Sequence, residues 1–207
     1  MKTKKTLLHF AIFLAVITIF YNLFEGFASV YFGLEDESLA LFGFGLDSFV
    51  EVISGIGIWH MVLRIRRNEN EHNDNFEITA LKVTGIAFYL LAAGLFITSI
   101  YNLIHSYSPE TTLWGVVIAG ISILVMWGLI YYKKEVGTKL NSDAMIADAN
   151  CTRVCMQLSF ILLISSLSYE VFEIGSIDSV GSFIIAGLSS REGREAFKKA
   201  NNRSACC

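Results

Sequence analysis

An all-α integral membrane protein, with six transmembrane helices and both termini cytoplasmic, is the fold this sequence predicts. Three observations carry that reading. Charged residues make up only 17% of the 207 residues, against about 25% in an ordinary soluble domain. Hydrophobic residues reach 54%, with a mean hydropathy of +0.54, and they fall in runs of the roughly 20 residues needed to cross a bilayer. The Lys and Arg residues cluster in alternate connections between those runs, as the positive-inside rule requires.

The runs can be taken in order. The first, residues 7–32, follows Lys2, Lys4 and Lys5. It is too long for the core of a signal peptide and lacks a clear small-residue cleavage site, so it reads as a retained helix. The next four are residues 39–63, 78–104, 112–132 and 143–168. The sixth, residues 177–188, is the weakest, being short and rich in Ser and Gly. With the N-terminus inside, Arg64, Arg66, Arg67, Lys82, Lys133, Lys134, Lys139 and the five basic residues after Leu188 all fall on the cytoplasmic side. Fifteen of the 16 basic residues thus fall on the cytoplasmic side, and the other, Arg153, lies within the fifth predicted span. The expected organisation is a six-helix transmembrane domain over residues 1–190 and a short charged cytoplasmic tail over 191–207, ending in Cys206-Cys207. No basic patch with interleaved aromatics points to nucleic acid. Four cysteines without an extracellular framework do not suggest structural disulfides.

Chemistry concentrates in residues 142–155, S-D-A-M-I-A-D-A-N-C-T-R-V-C. Ionisable groups inside a spanning helix mark a functional site by default. Cys151 and Cys155 are four apart, so on a helix they share a face, with Cβ atoms about 6 Å apart. Residues 38–51, S-L-A-L-F-G-F-G-L-D-S-F-V-E, repeat the skeleton, with Asp47 and Glu51 at the positions of Cys151 and Cys155. Asp47 lies nine residues into a helix that starts outside, and Cys151 nine into one that starts inside. At about 1.5 Å per residue each is roughly 13 Å deep, near the middle of a ~30 Å hydrocarbon core. Two carboxylates and two thiols at one level can supply four ligands to a metal ion, and thiolates favour thiophilic ions. Because binding releases protons from such ligands, metal and protons would compete for one site, which is the basis of an exchanger.

Each residue also has a plainer reading. A free Cys is often a small buried hydrophobe. Asp47 and Glu51 could instead pair with Arg153 in a structural ion cluster, and Arg153 is a counter-charge or a snorkelling residue. Asp148, one turn from Cys151 towards the cytoplasm, is an entry-path acid or packing polarity. Glu25 could orient ligands, or simply bond to Asn22 or a neighbouring helix. Cys206 and Cys207 could hand over a soft metal or belong to an untasked end of the chain. His9, His60, His72 and His105 are unremarkable by position.

These motifs resemble those of the cation diffusion facilitators, six-helix metal exporters. Asn22, Glu25 and Gly26 match the first-helix pattern. Ser38, Ala40, Leu41, Asp47, Ser48 and Glu51 match the second, with Glu for the usual second Asp. Ser142, Ala144, Ala147 and Asp148 match the fifth, where Cys151 and Cys155 replace His and Asp. The resemblance covers nearly the whole chain and implies a short form lacking the family's cytosolic C-terminal domain. It implies alternating access around a midplane site, and a homodimer in a bacterial plasma (inner) membrane. The Cys-x-x-x-Cys variant points to a thiophilic cargo among zinc, cadmium, lead, mercury and copper. The expected activity is transport rather than catalysis, with no permanently bound cofactor. The alternatives are a membrane thiol–disulfide oxidoreductase, since Cα atoms about 6 Å apart are within bridging range, and a metal sensor that does not transport.

Overall fold

The computed structural model describes residues 4–66, 75–105, 110–140, 143–172, 174 and 176–204. Long apolar runs containing no proline, the one proline being Pro109, give six helices: α1 (Lys4–Glu35), α2 (Leu39–Arg66), α3 (Asn75–His105), α4 (Leu113–Leu140), α5 (Asp143–Phe172) and α6 (Ser176–Ser204). At 28 to 32 residues each, they extend roughly 42–48 Å, enough to cross a bilayer with its headgroups. Among the described residues, five helices carry a stretch long and apolar enough to span; α6 does not.

The helices outrun the apolar stretches, mostly at the inner ends. Hydropathy ends where lipid ends, but Lys, Glu, Arg and Ala continue a helix readily. Thus α4 runs through Lys133, Lys134 and Lys139, and α6 carries the charged residues 191–203 as unbroken helix. That inner half of α6 packs on α3, where Phe197 stacks on Tyr89 at 5.8 Å between ring centroids and sits over Gly85.

The bundle is built from three close pairs, α1 with α2, α4 with α5, and α3 with α6; α2 also touches α3, α5 and α6, and α1 touches α4. Two core clusters result. One gathers Leu8, Ala11, Leu14, Met126, Leu129, Val136 and Cys155. The other includes Leu41, Phe44, Leu95, Leu158, Leu162 and Ile185. The outer surface is apolar as well: Phe24, Leu90, Ile104 and Leu124 are each more than 70% exposed. Water would not tolerate that coat over a whole bundle, but lipid does.

Two features fix the heights of the helices. The α1–α2 turn passes through Glu37 at φ 57°, and the two helices then run so close that a Cβ on Gly33 would stand 2.5 Å from the backbone nitrogen of Phe42. On Gly45 it would stand 2.8 Å from that of Val30. At the outer end, two helix N-termini are capped from neighbouring helices. The Asp178 carboxylate of α6 accepts hydrogen bonds from Ser38 Oγ (2.7 Å), Leu39 N (2.8 Å) and Ala40 N (3.3 Å) at the start of α2. The Glu170 carboxylate of α5 accepts from Thr112 N (2.5 Å), Thr111 Oγ1 (2.9 Å) and Thr112 Oγ1 (3.1 Å) at the start of α4. Both place negative charge against the positive end of a helix dipole and satisfy orphan N–H groups.

Candidate functional site

Nine residues below the capped start of α2, Asp47 is 1% exposed, and one turn further Glu51 is 8% exposed. Cys155 of α5, free and buried, faces them. Its Sγ donates to Asp47 Oδ2 at 3.5 Å and also meets the Glu51 carboxylate. The helices run in opposite directions, so the outer member of the acid pair, Asp47, is level with the outer member of the thiol pair. The structure thus brings together three of the four residues of the expected cage. Cys151 lies on α5 one turn towards the cytoplasm, and Asp148 about one turn beyond it; neither side chain is among those described. Among the described residues, no three His, Cys, Asp or Glu side chains stand in an arrangement that could hold a metal ion, so the cluster here is an open one. Cys206 and Cys207 lie outside the described residues, as do Ser142 and His72.

Among the described residues, Asp47 Oδ1 and Glu51 Oε2 have no hydrogen-bond partner, nor have the two amide atoms of Asn22, a fully buried residue of α1. Buried polar groups are normally paired, and the two carboxylates that keep such an oxygen both meet one thiol, Cys155. Beside them Glu25 is well satisfied. Its carboxylate accepts from Tyr21 OH (2.8 Å) and Ser48 Oγ (3.0 Å), and Ser122 of α4 also bonds to it. Ser122 Oγ lies 2.9 Å from Ser159 Oγ, which donates to the Cys155 carbonyl at 2.9 Å. Glu25 is therefore tied to Tyr21 and Ser48, not to Asn22, and a hydroxyl chain leads from it to the backbone of the thiol. Ser38 of the motif is a helix cap: its Oγ accepts from Leu41 N at 3.3 Å.

Arg153 is exposed, on the side of α5 turned away from Thr152 and Cys155, so it is not the partner of Asp47 and Glu51. The cation beside them is Lys133 of α4. It is fully buried, its Nζ donates to Thr152 Oγ1 at 2.8 Å, and it lies within electrostatic reach of Glu51. Counting it among the cytoplasmic basic residues missed this. The signal was helical phase: Ala119, Ser122, Met126, Leu129, Lys133 and Val136 recur three or four apart and form the buried stripe of α4. Glu192 of α6, half-buried, also acts electrostatically on Asp47, and its place in the charged block R-E-G-R-E hid it. Outside the apolar spans, burial holds Glu192 above the usual carboxylate range, with Glu195 adding to the effect and Lys199 and Arg191 opposing it.

Residues 11–201 match the family described as the cation efflux transmembrane domain. A protein of Methanocaldococcus jannaschii named as an uncharacterized transporter is 26% identical over 175 residues, which cover 83% of this chain and 62% of that relative. The chain therefore spans less than two thirds of that relative's length. A match over nearly the whole bundle, on a fold whose buried acids Glu25, Asp47 and Glu51 lie within electrostatic reach of one another, settles the kinship: the chain belongs to the cation diffusion facilitator, or cation efflux, family.

Proposed function

We propose that the protein carries a divalent or thiophilic heavy-metal cation out of the cytoplasm in exchange for protons, by alternating access around Asp47, Glu51, Cys151 and Cys155. One observation supports this above the rest. Asp47 of α2 and the Cys155 thiol of α5, 108 residues apart in sequence, meet at 3.5 Å in the buried interior, and Asp47 Oδ1 and Glu51 Oε2 lack hydrogen-bond partners among the described residues. Loading would draw Asp47 and Glu51 round the sulfur, converting an open cluster into a cage and displacing the thiol proton that now bonds to Asp47. Sulfur ligands favour cadmium, lead, mercury, copper or zinc over hard cations. Asp148 and Glu192 lie on the cytoplasmic side and suit an entry path; Cys206 and Cys207 suit metal hand-over. The proposed unit is a homodimer in a bacterial plasma membrane. That Cys155 faces a carboxylate favours a ligand role over thiol–disulfide exchange.

The test is cadmium uptake into vesicles loaded with a pH-sensitive dye. The wild-type chain should couple uptake to proton release. The double variant Cys151→Ser, Cys155→Ser should lose cadmium uptake by about tenfold or more. Equal cadmium transport by the two proteins removes the thiols from the mechanism.

A further inference from the structure

Two hollows lie end to end on one face of α4. The first is a groove of about 450 Å³ between α1 and α4. Leu14 and Leu129, both buried, form its floor, and Phe10, Leu124 and Tyr132 stand along its sides. Gly128 lines it too, and a Cβ there would meet no atom within 4 Å. The second is a hollow of about 390 Å³ at the cytoplasmic end of α4, lined by Tyr131, Lys134, Glu135, Thr138 and Lys139. Leu124, Gly128, Tyr131, Glu135 and Thr138 follow at steps of four and three, so the two hollows open on one helix face. Where they meet, the rings of Tyr131 and Tyr132 touch edge-on at 5.4 Å between centroids.

Shape and charge select the occupant. From Leu124 to Tyr132 is about 12 Å of helix, so the groove's volume leaves a channel roughly 6 Å across. That admits one acyl chain; a second helix, about 10–12 Å thick with its side chains, does not fit. Its length is most of one leaflet of a ~30 Å hydrocarbon core, and it ends at two tyrosines, which settle at headgroup level. The hollow beyond holds two lysines against one carboxylate. Glu135 pairs with Lys139, and Lys134 is exposed beside them, so positive charge is in excess where lipid phosphates lie. Basic pockets on the cytoplasmic side of a helix bundle hold anionic headgroups.

We propose that this face binds one anionic phospholipid of the inner leaflet, with a tail in the α1–α4 groove and its phosphate at Lys134 and Lys139. The groove has α1 on one side and α4 on the other, so the lipid bridges the α1–α2 pair and the α4–α5 pair. The site is separate from the buried acids and thiols, and it stands whether or not the chain carries a metal.

Native mass spectrometry of the full chain, purified in detergent, counts the lipid retained. The probes are phosphatidylglycerol and phosphatidylcholine with the same tails, and glycerol phosphate as a headgroup without tails. One phosphatidylglycerol per chain should be retained at an about fivefold lower concentration than phosphatidylcholine. Lys134→Gln with Lys139→Gln should abolish that preference, and Lys134→Arg with Lys139→Arg should keep it. Gly128→Leu fills the groove, leaves the lysines in place, and should reduce retention of both lipids several-fold. Equal retention of the two lipids by the wild type overturns the proposal, as does a preference that survives the glutamines. Unchanged retention by Gly128→Leu, or displacement of phosphatidylglycerol by an equal concentration of glycerol phosphate, reduces the site to a bare phosphate contact and overturns it too. So does a wild-type chain that emerges as a dimer free of lipid, because a second copy then covers this face. If Gly128→Leu does not fold, the two exposed lysines decide by the loss or survival of the preference.

Discussion

Two pairs of carboxylates in this bundle, one at the outer rim and one at mid-depth, differ in how fully they are hydrogen-bonded among the described residues. At the outer rim, Asp178 and Glu170 each receive three hydrogen bonds from the start of a neighbouring helix. At mid-depth, Asp47 and Glu51 each keep one oxygen without a partner among the described residues; both meet the Cys155 thiol, and Lys133 lies within electrostatic reach of Glu51. A satisfied acid contributes stability. A buried acid with an unpaired oxygen costs stability.

The largest effect that would break this contrast is at Asp47. Asp47→Asn should reduce cadmium uptake about 100-fold or more, while its unfolding temperature in detergent stays equal to or above that of the wild type. A clear loss of thermal stability would place Asp47 with the structural acids. Asp178→Asn should do the reverse. It loses charge-assisted bonds to two backbone N–H groups and a serine, so unfolding should become easier by about 1–3 kcal/mol, with uptake per folded molecule unchanged. Glu170→Gln, at a less buried position, should cost less, about 0.5–1 kcal/mol.

The smallest effect sharpens the comparison through pH. Asp36, in the α1–α2 turn, is only 6% exposed. Burial, then Glu35, Glu110 and Glu170, push its carboxyl above the ordinary aspartate range. A carboxyl raised in the fold favours folding while protonated. Its contribution is therefore full below the ordinary aspartate range and is lost as pH rises through the raised one. Unfolding followed against pH should show this slope in the wild type and a flatter one in Asp36→Asn.

The helix count, the family motifs and the approach of the α2 acids to the α5 thiols near mid-depth were legible because each depends on spacing alone, one rise per residue and one bilayer thickness, although that spacing matched Asp47 with Cys151 and the structure sets it against Cys155. What escaped depended on rotation about the helix axis or on partners far along the chain. Lys133 reads as a cytoplasmic basic residue until the phase of α4 is drawn from Ala119 onwards. Arg153 reads as a counter-charge or a snorkelling residue, and its exposure fits only the second. Ser38 reads as part of a transport motif, whereas it caps α2 beneath an aspartate 140 residues away; no local pattern reveals that partner. The inner halves of α4 and α6 were cut short because hydropathy reports lipid contact, not helicity.

The glycine-lined seam between α1 and α2 has one more consequence. With Gly33 and Gly45 pressed against the opposing backbone, these two helices cannot slide past one another without collision. They form a stiff hairpin that carries Asn22, Glu25, Asp47 and Glu51 together. The thiols and Lys133 ride on the other hairpin, α4 with α5. Oxygen and sulfur thus belong to separate rigid pieces, and their spacing changes only when the pieces shift against each other. A bundle so divided can part Asp47 from Cys155 by shearing along one seam, with every helix left intact.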